Sequence, residues 1–102
     1  MNDIIKKCKI VLQKHYKDRF KGLLLFGSSA RNQRESSSDI DMLVLLSHPF
    51  NYFHELRAIS ELLYPIQLES EQLISVKPVL EKDYEQGTIQ LYRNAKQDGV
   101  AV

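Results

Sequence analysis

The 102-residue chain has one cysteine, no tryptophan, three prolines and four glycines. With Cys8 alone no internal disulfide can form, which suits a reducing compartment rather than a secreted, disulfide-built scaffold. No repeat, low-complexity tract or linker interrupts the chain, and its length suits one compact domain over residues 1–102. Charge of either sign is not in excess: the formal net charge is +1. A dedicated nucleic-acid binder neutralises several phosphates and carries a clearly basic face, so nucleic acid is not expected as a partner. The longest apolar run, Met42 to Leu46, is far too short to span a bilayer. No basic stretch followed by a long apolar run stands at the N-terminus, so no signal peptide is expected. These shortages together predict a soluble, cytoplasmic protein with no membrane partner.

What is present has the ordinary balance of a globular domain, 43% apolar and 26% charged residues. A chain this short buries a modest fraction of its surface, so a partner or an oligomer could complete the burial. Lys6, Lys7, Lys9, Lys14, Lys17, Arg19 and Lys21 gather near the N-terminus. They read as the solvated face of a helix, the alternative being a patch that steers a nucleotide or polyanion.

That helix is predicted over Asn2 to Lys17, where Ile4, Ile5, Cys8, Val11, Leu12 and His15 recur at spacings of three and four. Gly22 to Phe26 reads as a short buried strand ended by Gly27, and Ser28 to Ser38 as a polar segment with a turn of helix and a loop. Asp39 to Leu46 reads as a second strand. A second helix starts near Pro49, with Phe50, Phe53, Leu56, Ile59, Leu62 and Leu63 as its stripe. Pro65 should kink or end it, although helical spacing resumes through Leu68. Leu73 to Leu80 reads as a third strand, which Pro78 assigns to a sheet edge or to a strand end. Glu81 to Gln97 reads as a final helix, open to interruption at Gly87. The predicted fold class is α/β (α+β): a small mixed sheet of three or more strands with helices packed on it.

One stretch carries chemistry. Asp39 and Asp41 are two residues apart on a strand, so their carboxylates project from one face. Like charges so close repel unless a cation or solvent stands between them. Gly27 permits a tight turn after the first strand and lets a phosphate approach the backbone. Should Ser28 begin a helix, its N–H groups and hydroxyl can hold anionic oxygens. Phosphate donors set against metal ligands are what polarising a nucleoside triphosphate through Mg²⁺ requires.

The spacing Gly27-Ser28, ten residues, Asp39-Ile40-Asp41 matches the signature of the polymerase-β-like nucleotidyltransferase superfamily. With Arg31 three residues after Ser28 and the Leu25-Phe26 lead-in, the chain resembles the minimal nucleotidyltransferase subfamily over nearly its whole length. The resemblance implies that Gly27 and Ser28 bind the β- and γ-phosphates and that Asp39 and Asp41 hold one or two Mg²⁺ as the catalytic pair. It implies transfer of a nucleoside monophosphate, AMP from ATP, to a hydroxyl. For Arg31 two roles stand open: steadying a phosphate, or a surface salt bridge to Glu35. Stand-alone members of the subfamily are often antitoxins of small helical HEPN-type toxins, so a toxin is the implied protein partner and acceptor. A catalytically weak module that neutralises its partner by contact is the alternative. A nucleic-acid polymerase or repair fragment is the weakest reading, because no basic channel is evident.

The resemblance also implies a third carboxylate on a neighbouring strand. By strand phase Ser75 stands in that slot. Glu69 and Glu71 lie just before the strand and Asp83 just after; Glu71 could serve if the strand began earlier, but Glu69 and Glu71 read first as ordinary solvated acids. The histidines have plainer readings: His15 packed on the first helix, His48 in a loop from which it could approach the site, and His54 on a helix surface. Tyr52, Phe53 and Tyr64 read as core or partner contacts rather than as a platform for a base.

Overall fold

The computed structural model describes residues 3–27 and 39–102. Helix α1 (Asp3–Tyr16) and a 3₁₀ turn (Lys17–Arg19) lead into strand β1 (Phe20–Phe26). Strand β2 (Ile40–Leu46), helix α2 (Tyr52–Glu69), strand β3 (Ile74–Leu80), helices α3 (Glu81–Gln86) and α4 (Gln90–Asp98) and the short strand β4 (Val100–Ala101) follow. The sheet runs β3-β2-β1-β4, with β1 antiparallel to β2 and β4, and β2 parallel to β3. This is the mixed α/β sheet expected from the pattern. Among the described residues no helix is long and apolar enough to cross a membrane.

Two layers of helix cover the two faces of the sheet. On one face α1 and α2 pack Ile5, Cys8, Leu12, Tyr16, Ile59, Leu63 and Ile66 against Leu23, Leu25, Ile40, Met42, Val44, Leu46 and Val76. On the other, α3 and α4 cover a smaller cluster of Leu43, Leu45, Val79 and Ala95, flanked by Leu24, Phe26, Tyr84 and Tyr92. Alternate residues of β2 therefore serve opposite cores, the period-two rule applied to a strand buried on both sides.

Several expectations are refined by packing. Tyr16, rather than His15, completes the buried stripe of α1, and His15 is exposed. The Tyr16 hydroxyl donates to Glu55 Oε1 of α2 at 2.9 Å, which gives the buried ring a polar anchor. Helix α2 begins at an Asn51 cap, whose side chain accepts from the His54 N–H, and Phe53 points to solvent. It continues through Pro65 to Glu69, because the exposed proline lies between two core anchors, Leu63 and Ile66. Pro78 marks an edge strand, as expected, and β3 runs past it to Leu80. The last helix divides at Gly87, whose φ of +63° is the left-handed cap conformation that glycine takes without strain. Strand β4 had no detectable pattern: two exposed residues held by pairing with Leu24 and Leu25.

Candidate functional site

The site is built where β1 ends and β2 begins. Register sets Phe26 opposite Asp41, so the chain leaving β1 at Gly27 lies beside that carboxylate. Gly27 adopts φ +65°, and a β-carbon there would stand 3.5 Å from Asp41 Oδ2. There is room for that atom, so the requirement for glycine is conformational rather than steric. Ile40 and Met42 are fully buried against α1 and α2, which turns the residues between and before them, Asp41 and Asp39, toward the opposite face.

Asp39 is exposed and Asp41 half-buried. Burial raises the Asp41 carboxyl above its usual range, and the nearby Asp39 charge raises it further, while Lys77 acts in the opposite sense. The pair is thus a place where negative charge is costly and a cation is welcome. Its hard carboxylate oxygens match the donor set of a Mg²⁺-class ion.

The start of β3 decides the third-carboxylate question. The Gln67 side chain donates to the Gln72 carbonyl at 2.9 Å and accepts from the Ile74 N–H at 2.7 Å. The Ile40 N–H donates to the Leu73 carbonyl at 2.8 Å. These bonds fix the parallel register with Ser75 opposite Asp41, and the strand starts at Ile74, after Glu71. Glu69 is instead paired with Lys7 of α1 at 2.8 Å. Among the described residues no third His, Cys, Asp or Glu joins the pair in a metal-binding group.

Ser28, Arg31, Glu35 and Ser38 lie outside the described residues. His48 follows the far end of β2, roughly 20 Å from Asp41 at the usual rise per strand residue. It does not approach the pair; its Nδ1 lies 2.8 Å from Ser47 Oγ. His54 is exposed, as expected of a helix surface. Lys77 was missed from the sequence, yet its signal was present: it lies two residues after Ser75 and so shares the face of Asp41. Beside Lys77 a cavity of about 250 Å³ is lined by Leu43, Tyr52, Ile89, Leu91 and Tyr92, among others.

Comparison with known proteins places the family and the fold. The family model described as Polymerase beta, Nucleotidyltransferase matches residues 6–99. Two Methanocaldococcus jannaschii proteins with the provisional name protein adenylyltransferase are similar. One is 35% identical over 77 residues, 72% of this chain and 77% of the relative. The other is 46% identical over 44 residues, so the match spans only 43% of either protein. Among solved structures, spectinomycin adenyltransferase AAD(9) from Enterococcus faecialis, with ATP and spectinomycin, superposes with a TM-score of 0.73 at 19% identity. That match covers 98% of this chain and 54% of the other. A mutant of the toxin–antitoxin pair MntA–HpeT superposes with a TM-score of 0.62 at 16% identity, covering 100% of this chain and 72% of the other.

Proposed function

Because the chain belongs to the polymerase-β-type nucleotidyltransferase family, as a minimal nucleotidyltransferase, we propose that it transfers AMP from ATP to a hydroxyl of a partner protein. The carrying observation is Asp41 on β2 beside the left-handed turn at Gly27, with Asp39 just before the strand. The provisional name of the M. jannaschii relatives supports a protein acceptor. The likeness to a toxin–antitoxin structure supports a toxin as that partner, and the family resemblance suggests one of HEPN type.

In this reading Gly27 brings the backbone close to the triphosphate, and Ser28 and Arg31 add a hydroxyl and a guanidinium to its phosphate oxygens. Asp39 and Asp41 would hold Mg²⁺, which when bound draws charge from the phosphate oxygens. The acceptor hydroxyl oxygen forms a bond to the α-phosphorus as the α–β phosphoanhydride bond breaks, the hydroxyl proton passing to water and pyrophosphate leaving.

A second reading is a nucleotidyltransferase-like module that neutralises its partner by contact, and the observation favouring it is Ser75 opposite Asp41. One experiment separates the two: the protein, ATP labelled on the α-phosphate, Mg²⁺ and the candidate toxin are combined. Label on the toxin that disappears with Asp41→Asn supports the transferase. Toxin inhibition that survives both Asp39→Asn and Asp41→Asn, with no label transferred, supports contact alone.

A further inference from the structure

The charge around the carboxylate pair is unusual in what the neighbouring strand contributes. Parallel pairing sets Ser75 beside Asp41 and Lys77 beside Leu43. Val76 is buried with the α1–α2 core, so Ser75 and Lys77 turn to the opposite face, which is that of Asp41. Lys77 is exposed, and it lines the cavity that also touches Leu43 and Tyr92. It stands two residues along β3 from Ser75, the register partner of Asp41, within the span of a lysine side chain. Among the described residues the face therefore gathers two carboxylates and one ammonium, with no third acid.

Sites that hold two divalent ions about 4 Å apart concentrate four positive charges and need anionic ligands to offset their repulsion. Two carboxylates match one such ion. An ammonium on the adjacent strand opposes a second ion and offers three donors suited to phosphate oxygens. We infer that Lys77 holds a phosphate oxygen of the nucleoside triphosphate where a second divalent ion would otherwise sit, so that the site takes one ion. The inference rests on the nucleotide-binding reading above and adds a residue and a stoichiometry to it.

The test uses the full chain, a non-hydrolysable α,β-methylene ATP analogue and Mn²⁺, read by calorimetry and by electron paramagnetic resonance. One Mn²⁺ per protein–analogue complex is expected. Lys77→Ala should weaken the analogue about 10- to 100-fold, the effect of losing a charge-assisted bond, and Lys77→Arg should restore most of it. Lys77 is exposed, so unchanged circular dichroism should accompany the loss. Two Mn²⁺ per wild-type complex, or unchanged analogue affinity in Lys77→Ala, would overturn the inference and leave the nucleotide-binding reading standing. A wild-type chain that binds no analogue would overturn that reading and the inference with it.

Discussion

The two faces of the sheet divide the work of the molecule unequally. Against α1 and α2 the sheet presents an apolar surface whose inward residues on β2, Ile40, Met42, Val44 and Leu46, are all sealed from solvent. Against α3 and α4 the apolar residues of β2 are Leu43 and Leu45, joined by Val79 of β3, and β2 opens at Asp41 into a charged mouth. A single strand alternating between them carries both roles, so each face can change with little cost to the other. The difference teaches that the carboxylate pair is supported by a core it does not belong to.

The sharpest way to break this division is Asp41→Asn. Transfer activity should fall on the order of 10²–10³-fold, the usual effect of removing one charge-stabilising group from a reaction site. The fold should not suffer. Burial and Asp39 raise the Asp41 carboxyl, so folding favours its protonated form. In the absence of a cation, stability should therefore fall as pH climbs from the ordinary carboxylate range through the raised value, and level off above it. Asn removes that dependence and should raise the Tm of the cation-free protein by about 2 °C at neutral pH. A lowered Tm would show that the pair is structural.

Leu12→Ala probes the opposite face. Leu12 is fully buried between α1 and the sheet, and its truncation should cost about 2–5 kcal/mol in urea unfolding. Tyr92→Ala, at the half-buried cluster of α4, should cost less than half as much. Equal costs would contradict the unequal division. Gly27→Ala lies at the boundary, where a side chain in the left-handed region should cost about 1–2 kcal/mol. Chemical denaturation would measure that cost, alongside weaker binding of the ATP analogue. Smallest of all is Lys7→Ala: the Lys7–Glu69 pair is exposed, and its loss should leave the denaturation midpoint unchanged and insensitive to added salt.

Much of this arrangement is legible in the sequence. The β2 pattern, acidic and alternating and then apolar, located both the strand and the carboxylate pair, because strand alternation is a local property. Gly27 was legible for the same reason, and its positive φ agrees with the turn it was assigned. What eluded the sequence was set by tertiary contact. Tyr16 rather than His15 faces inward because Glu55 of α2 receives its hydroxyl. Helix α2 survives Pro65 because Leu63 and Ile66 are anchored on either side. Glu71 lies outside β3, as a strand read from Leu73 implies, with Gln67 bonding the strand's first N–H; Lys77, by contrast, joins the site only through the register of two strands distant in sequence. His48 looked near the pair in sequence, but a full strand separates them.

The most direct test of the account is the intact mass of the partner protein after incubation with the chain, ATP and Mg²⁺. The prediction is a gain of one adenylyl group with the wild-type chain and none with Asp41→Asn of unchanged fold. A partner that is inhibited with no change in mass, or one modified equally by both chains, would contradict it.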